Sequence, residues 1–330
     1  MTILVTGATG FVGINLVKML AERGDSVVGL YRSAYSEFVP WFLGDLSESS
    51  ALRLIHGDIT SEETMKELSD MDLDGIIHSA VITPSARVER EIPARICEVN
   101  FSGTVRLLEL ARQVGMERFL YVSSSGIYGD TGDDVTPVPE DTHVSPSGLY
   151  GVTKLASEGV VERYGELFPL ACVSARIGAP YGPGERPTGS REIMSPILEM
   201  TAGAVEGRPV SLRNPHISRD WTHILDTCGA LIALYNSLPL SQPMYNVSRG
   251  ESHDLECVAG VLARIIPGAE FFEAPDPREA DTGMSESNRR GPLDVSRLIA
   301  DTGFQPGIDL DEGLQDYANW LKKYRQWLAS

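Results

Sequence analysis

The residues best suited to proton chemistry in this chain are a tyrosine and a lysine four positions apart, Tyr150 and Lys154. At this spacing the two side chains lie on one face of a helix. An isolated phenol has a pKa of about 10, and a neighbouring ammonium group favours its charged form. The pair therefore suits a base that removes a proton from a hydroxyl group. Because the spacing is common by chance, it gains weight only with further groups.

Three consecutive serines at 123–125 can supply a hydroxyl group for such a reaction. They follow the predicted strand 118–122, in which residues 119–122 are apolar. Ligands bind at the carboxyl ends of the strands in open parallel sheets. We therefore expect this segment and Tyr150 to face the same substrate oxygen.

A glycine-rich turn near the start of the chain predicts a second ligand. Three glycines separate an apolar run at 3–5 from helical spacing at 11–23. The first turn of a helix presents unpaired N–H groups, and glycine lets a pyrophosphate approach the backbone closely. The sequence therefore predicts a dinucleotide site, with contacts from Gly7, Thr9, Gly10, Phe11, Val12 and Gly13.

The end of the second predicted strand, 27–30, bears on which dinucleotide binds. An acidic residue there would hold the ribose 2′-hydroxyl group of NAD, but the positions are occupied by Tyr31, Arg32 and Ser33. An arginine and a hydroxyl group suit a 2′-phosphate. The prediction is NAD or NADP, with a preference for NADP from Arg32. The alternative is a solvated arginine beside the adenine.

The elements that must position these residues alternate between strands and helices. Further strands are predicted at 51–56, 75–78 and 170–174, and helices begin near 60, 93 and 150. This alternation is typical of an α/β protein with a doubly wound parallel sheet and right-handed crossovers.

Beyond residue 178 the pattern is less regular, which predicts a smaller α/β C-terminal substrate lobe. Helices are expected at 192–206, 221–237, 254–265, 294–301 and 310–328, and loops at 209–216 and 274–292. The expected organisation is a dinucleotide-binding domain at 1–178, to which 218–248 return, and a substrate-binding lobe at 179–217 and 249–330.

Composition argues against several classes of protein. The formal net charge of −18 disfavours nucleic acid as a partner, because binding to phosphates depends on Lys and Arg. No run reaches the ~18 apolar residues of a membrane helix, and the chain begins with a strand-like stretch instead of a signal peptide. The four cysteines are too far apart for a CxxC metal site or a disulfide framework. We therefore expect no metal, no membrane and a cytoplasmic location.

Six motifs in order make the chain resemble the short-chain dehydrogenase/reductase superfamily. The resemblance is to its extended branch of NAD(P)-dependent sugar epimerases and dehydratases, which have a Rossmann-type sheet. The motifs are TGATGFVG at 6–13, GDI at 57–59, NFSGT at 100–104, SSSGIYG at 123–129, RDWTHI at 219–224 and the segment 294–306. The resemblance implies catalytic roles for Ser124, Tyr150 and Lys154. It also implies cofactor contacts from Asp58, Ile59, Ala80, Asn100, Tyr150 and Lys154.

Departures from the family pattern reduce the number of candidate reactions and substrates. Sugar dehydratases have Asp-Glu where this chain has Ser125 and Gly126, so water elimination lacks its acid and base. Nucleotide-sugar enzymes usually have an asparagine at the position of Ala179, whereas Arg278 and Asp281 resemble an RxxD motif that holds a diphosphate. The expected substrate contacts are Ser125, Arg219 and Arg278.

The resemblance favours a sugar or nucleotide-sugar epimerase that transiently oxidises a secondary hydroxyl group to a ketone, with hydride transfer to nicotinamide. One alternative is an NADP-dependent dehydrogenase or reductase of a non-nucleotide sugar, sugar acid or other secondary alcohol. Another is a cofactor-binding regulator without catalysis. The family also implies a homodimer formed by helices at 93–114 and 148–166, with apolar contributions from Val105, Leu108, Val152, Leu155 and Val160.

Overall fold

The structure, a computed structural model, describes residues 1–33, 35–191 and 194–329, without the side chain of Asn288. The strands are β1 (Thr2–Thr6), β2 (Ser26–Tyr31), β3 (Leu52–His56), β4 (Gly75–His78), β5 (Arg118–Ser124), β6 (Ala171–Ile177), β7 (Ala179–Tyr181), β8 (Val210–Arg213), β9 (Trp221–His223), β10 (Met244–Val247), β11 (Phe271–Glu273) and β12 (Thr282–Gly283). The α-helices are α1 (Phe11–Glu22), α2 (Phe38–Leu43), α3 (Glu62–Ser69), α4 (Ala86–Glu91), α5 (Pro93–Cys97), α6 (Gly103–Val114), α7 (Leu149–Leu167), α8 (Pro196–Glu206), α9 (Ile224–Asn236), α10 (Leu255–Ile265), α11 (Ser296–Thr302) and α12 (Leu310–Leu328).

Seven parallel strands form the central sheet, in the order β10-β6-β5-β4-β1-β2-β3. Helices α1 and α9 pack together on one face, and α3, α6 and α7 pack on the other. Because both faces are covered, the strands are continuous apolar runs, such as Ile3, Leu4 and Val5 in β1, which are fully buried. The predicted doubly wound parallel sheet is confirmed.

The strand order reverses between β1 and β4, which are neighbours in the sheet. Their last residues, Thr6 and His78, are paired in register, so the two strands end side by side. A reversal of this kind leaves a crevice at the carboxyl ends of the strands. The glycine turn after β1 and the serines at the end of β5 both open onto this edge.

The part of the chain beyond residue 178 has a core of its own. A three-stranded sheet (β11-β8-β12), the pair β7-β9 and helices α8, α10 and α12 surround buried side chains that include Met200, Leu212 and Leu314. Strand β10 pairs in parallel with β6, so the chain returns to the central sheet before it completes the lobe. The smaller α/β lobe is therefore present, and the domain boundaries stay a prediction.

Several predicted elements differ from the structure. The expected loop 274–292 contains the two-residue strand β12, which pairs with β8 and is too short to leave a sequence pattern. The expected loop 209–216 contains β8, with Val210 and Leu212 buried, so that prediction is wrong; an alternation over four residues is too short to recognise. The helix expected from residue 221 begins at Ile224, because β9 pairs with β7 immediately before it. The helix expected from Pro93 is present as α5 and α6, joined by a π-helical turn at 98–102. The start of the expected helix 192–206 and the last residue of the predicted lobe lie outside the described residues.

Candidate active site

A cavity of about 660 Å³ opens at the carboxyl ends of β1, β4, β5 and β6. Most of the predicted site residues line it, namely Gly7, Thr9, Gly10, Phe11, Val12, Gly13, Arg32, Asp58, Ile59, Ala80, Ser124, Tyr150 and Lys154. Five predicted residues lie outside the lining, namely Tyr31, Asn100, Ser125, Arg219 and Arg278. The structure thus brings the predicted catalytic residues and the glycine turn to one site.

The glycine turn depends on backbone contacts that only glycine permits. Gly7 has a φ of +72°, and a Cβ atom there would lie 2.9 Å from the Cα atom of Ala80. A Cβ atom on Gly13 would lie 2.1 Å from the carbonyl oxygen of Gly7. Gly10 immediately precedes α1, whose first turn carries no acidic residue. The start of α1 therefore presents its N–H groups to the cavity, and the turn fits a dinucleotide pyrophosphate.

The three catalytic candidates meet at the edge of the cavity. Ser124 ends β5, and Tyr150 and Lys154 lie one turn apart at the start of α7. The Oγ atom of Ser124 accepts a hydrogen bond from the Gly126 N–H group (3.1 Å). Desolvation raises the pKa of Tyr150, while a hydrogen bond with Ser124 and the charge of Arg191 act to lower it.

Lys154 is buried behind the tyrosine, with 2% of its surface exposed. Its Nζ atom donates to the carbonyl oxygen of Val122 (2.5 Å) and lies 5.8 Å from the centre of the Tyr150 ring. Burial lowers the pKa of Lys154 to about 7, although the charge of Glu158 opposes this shift. A cation at this position favours the phenolate form of Tyr150.

His78 lies beneath the site as a buried structural residue. Its Nδ1 atom is 2.7 Å from the Thr6 hydroxyl oxygen, and its Nε2 atom is 3.0 Å from the Thr104 hydroxyl oxygen. Because the Thr104 hydroxyl group donates to the Asn100 carbonyl oxygen, we assign the ring proton to Nε2. Burial and the charge of Lys154 lower the pKa of His78 to about 3, so the neutral ring joins β1, β4 and α6.

Asn100 and Asp58 each hold in place a loop that lines the cavity. The Asn100 side chain exchanges two hydrogen bonds with the backbone of Ile82 (2.8 and 3.0 Å) and so fixes the loop after β4. Asp58 pairs with Arg95, which orients the turn after β3. Tyr31 is not part of the cavity lining, and its ring packs against the rings of Tyr35 and His56.

The predicted substrate residues fall in different places. Arg219 is buried near Arg290, and burial lowers the pKa of both; that of Arg290 falls to about 9, with the charge of Arg219 as a further cause. Ser125 is buried in the short 3-10 turn that follows β5. Arg278 lies away from these residues, since its side chain is 88% exposed and pairs with Asp276.

Two arginines of the cavity wall, Arg186 and Arg191, were not among the predicted site residues. An Nη2–H group of Arg186 donates to the carbonyl oxygen of Thr9 (2.9 Å), and Arg191 pairs with the buried Glu185 (2.8 Å). Both lie in a segment rich in Pro and Gly. No periodicity there distinguishes a residue of the cavity wall from one on an exposed loop.

None of the four cysteines forms a disulfide; Cys97 and Cys257 are exposed and Cys228 is buried. Over the described ranges, no group of three or more His, Cys, Asp and Glu side chains is arranged to hold a metal ion. Within those same ranges, every helix is too short or too polar to span a bilayer.

The chain is similar to known enzymes over almost its full length. The profile of the NAD dependent epimerase/dehydratase family matches residues 3–248, and the chain belongs to this family. UDP-glucuronate 4-epimerase 5 of Arabidopsis thaliana is 26% identical over 340 residues, which cover 97% of this chain and 75% of the plant protein. The predicted resemblance to the extended short-chain dehydrogenase/reductase enzymes and the prediction of an NAD(P)-dependent epimerase are confirmed.

Solved structures share the same architecture. MoeE5 in complex with UDP-glucuronic acid and NAD is 26% identical, with a TM-score of 0.79 and coverage of 98% of this chain and 100% of that one. UDP-glucose 4-epimerase of Thermotoga maritima, with UDP-glucose, is 23% identical, with a TM-score of 0.83 and coverage of 99% and 100%. The predicted Rossmann-type fold class is confirmed. NAD is supported as the cofactor, and the preference for NADP stays a prediction.

The burial of Lys154 predicts a pH-dependent cost to stability. Its folded-state pKa of about 7 lies below that of a free lysine, so the unfolded chain binds more protons between about pH 7 and pH 10. Stability should therefore rise with pH across this window. In urea denaturation at pH 6, Lys154→Met should raise the free energy of unfolding by on the order of 3 kcal/mol, and the gain should shrink as the pH rises.

Lys66→Met on α3 is the matched control, because Lys66 is an exposed lysine on a helix surface. It should change the free energy of unfolding by less than about 0.5 kcal/mol at every pH. A Lys154→Met effect that did not vary with pH would contradict a charged, desolvated lysine at this site.

Proposed function

We propose that the protein is an NAD-dependent epimerase of a UDP-linked sugar, with inversion at C4 of a UDP-hexuronic acid as the first candidate reaction. The observation that carries the proposal is the meeting of Ser124, Tyr150 and Lys154 at the edge of the glycine-lined cavity. The candidate substrate comes from similar proteins, a UDP-glucuronate 4-epimerase and a complex with UDP-glucuronic acid and NAD.

The residues divide the chemistry as follows. Tyr150, as the phenolate, removes the proton from a sugar hydroxyl group, and the Ser124 hydroxyl group donates a hydrogen bond to the same oxygen. The charge of Arg191 lowers the pKa of Tyr150. Lys154, whose Nζ atom lies 5.8 Å from the centre of the Tyr150 ring, favours the phenolate while it is protonated. A bound nicotinamide would supply the hydride acceptor for the sugar carbon and the hydride donor for the return to that carbon. Inversion then requires that the cavity walls let the ketone turn before that return.

A pair of arginines supports a nucleotide on the substrate. Arg219 and Arg290 are only 8% and 7% exposed, and the charge of one affects the pKa of the other. Two desolvated guanidinium groups favour an anion that carries more than one charge, although Asp134, Asp220 and Asp130 offset part of their positive charge. Arg219 also comes two residues before Trp221, which lines the cavity. We therefore assign the substrate diphosphate to this pair in place of Arg278.

The proposed setting is the cytoplasm. NAD and a small nucleotide sugar are the expected partners. The absence of disulfides among the four cysteines agrees with a reducing compartment.

The test is to incubate the protein with NAD and a panel of UDP-glucuronic acid, UDP-glucose and the free sugars. We expect NMR to show stereochemical conversion of one UDP-sugar with no net growth of the reduced-nicotinamide absorbance. Tyr150→Phe should lower kcat by at least about 100-fold, as expected for loss of a general base. Tyr164→Phe is the matched control, because Tyr164 is on the same helix and bonds to Glu109 instead; its kcat should be close to that of the wild type.

Other outcomes would identify the alternatives. Growth of the reduced-nicotinamide band in proportion to one substrate would contradict an epimerase and indicate the dehydrogenase. Tight NAD binding without turnover of any sugar would indicate a regulator. Substantial turnover by Tyr150→Phe would show that another residue is the base.

We further propose that Arg32 lets the cofactor site accept the 2′-phosphate of NADP. Arg32, Ser33 and Ser36 line the cavity just after β2, and the Arg32 side chain is exposed enough to meet an added phosphate. Its present partner is the Ser190 hydroxyl group, at 3.2 Å. A guanidinium group binds a phosphate more strongly than a neutral hydroxyl group.

The role of Arg32 is tested by measuring the affinities of the wild type and of Arg32→Ala for NAD and for NADP. The substitution should lower the affinity for NADP by about 10-fold, which is the contribution of one hydrogen bond to a charged group. The affinity for NAD should stay within about two-fold of the wild-type value. Arg23→Ala, an exposed arginine after α1 that pairs with Asp25, is the control and should change neither affinity. An unchanged ratio of the two affinities in Arg32→Ala would contradict the role.

We also propose a homodimer formed through α5, α6 and α7. Val152 is 47% exposed on α7, and Val105, Leu155 and Val160 are half-buried, whereas Leu108 belongs to the core of the subunit. Exposed apolar side chains on adjacent helices favour burial against a second copy of the same surface.

Light scattering at micromolar concentration should give about twice the 35.9 kDa of one chain. Val152→Glu should shift the mass towards one chain, because it would bury a charge at the interface. Val135→Glu, which alters a more exposed valine outside these helices, should leave the mass unchanged. A wild-type monomer would contradict the proposal.

A further inference from the structure

Arg186 joins parts of the chain that are distant in sequence. Its Nη2–H group donates to the carbonyl oxygen of Thr9 in the glycine turn (2.9 Å), and its Nη1 atom is 3.4 Å from the carbonyl oxygen of Gly184. The guanidinium carbon lies 3.8 Å from the centre of the Phe38 ring on α2. These contacts fix the charge beside the cavity, next to the start of α1.

The segment 182–191, here called the strap, carries this arginine across the cavity. At one end, the Asn15 side chain on α1 donates to the carbonyl oxygen of Pro183 (2.9 Å). At the other end, the N–H group of Thr83 after β4 donates to the carbonyl oxygen of Ser190 (2.9 Å). Because α1 and the loop after β4 form different walls of the cavity, the strap connects them over the dinucleotide site.

The surroundings of Arg186 leave its charge to be matched by an anion. In the described ranges no carboxylate pairs with it, and burial lowers its pKa to about 10. The first turn of α1, with the sequence FVGI, supplies no basic side chain. The N–H groups of the helix start would otherwise face the two negative charges of a pyrophosphate alone. A partly desolvated guanidinium at this point gains from such a partner.

Phe38 is itself held in place by other aromatic rings. The Phe42 ring lies 5.4 Å from it, and the Tyr324 ring of α12 lies 5.5 Å from it in an edge arrangement. The ring that supports Arg186 therefore has little freedom to move. A guanidinium held in this way loses little conformational entropy when an anion binds.

We propose that Arg186 binds the pyrophosphate of the cofactor and that the strap must open before the cofactor can leave. The glycine turn, whose Thr9 carbonyl oxygen accepts from Arg186, supplies backbone N–H groups for the same pyrophosphate. This role goes beyond the proposed function, because it concerns retention of the cofactor and needs no particular sugar. An enzyme that returns the hydride in every cycle has no need to exchange its cofactor, and a strap suits that requirement.

Titration calorimetry with NAD, ADP and adenosine, the last two by competition where needed, tests the contact. Arg186→Met should lower the affinity for NAD and for ADP by about 10- to 100-fold, because the charged contact is lost. The affinity for adenosine, which has no phosphate, should stay within about two-fold of the wild-type value. Arg186→Lys should give an intermediate loss, since the ammonium keeps the charge without the planar donor geometry. Arg264→Met on α10, an exposed arginine paired with Asp311, is the matched control and should bind all three ligands as the wild type does.

Release of the cofactor is measured separately, as NAD retained by the protein through gel filtration over time. Arg186→Met should lose NAD faster than the wild type and Arg264→Met should not. Equal weakening of NAD and adenosine would give Arg186 only a structural role in the strap, and unchanged NAD binding would exclude the contact; either result overturns the proposal. If Arg186→Met fails to fold, Arg186→Lys provides the same comparison. Because no sugar is present, failure of the proposed epimerase activity would leave these results intact.

Discussion

The approach of Gly13 to the carbonyl oxygen of Gly7 is the contact on which the rest of the site depends. It brings the start of α1 against the end of β1, at a distance that no side chain would tolerate. Gly7 in turn lies against Ala80, which sets the loop after β4. Since β1 and β4 are the strands at which the sheet order reverses, these contacts shape the crevice at the carboxyl ends of the strands.

Helix α7 carries Tyr150 and Lys154 and also Glu158, one partner of the ion pair that attaches this helix to the sheet. Arg176 on β6 pairs with Glu158 on α7 at 2.8 Å, and both side chains are almost fully buried. Breaking a buried pair of this kind costs about 3–5 kcal/mol. Glu158 lies one turn after Lys154 and also moderates its pKa. The carboxylate of Glu158 therefore both attaches α7 to the sheet and influences the pKa of Lys154.

Sequence patterns locate the parts of the site whose residues are close together in the chain. The glycine turn and the pair of Tyr150 and Lys154 each occupy a few residues, and the alternation of strands and helices orders them along one edge of the sheet. Arg186 acts through a contact with a residue 177 positions away and lies in a segment without periodicity, so no local pattern indicates it. Motif spacing likewise points to Arg278 as the diphosphate contact, but this side chain is exposed. The buried Arg290 is the better candidate, and burial cannot be read from motif spacing.

The aromatic rings between α2 and α12 have an optical consequence. Three of the four tryptophans, Trp41, Trp320 and Trp327, belong to this group, and the rings of Trp41 and Trp327 are stacked at 5.1 Å. The fourth, Trp221, lines the cavity. The protein thus contains two separate natural reporters. Fluorescence emission from Trp221 should change when a ligand binds in the cavity. The near-ultraviolet circular dichroism of the stacked indoles should report the packing of α2 against α12.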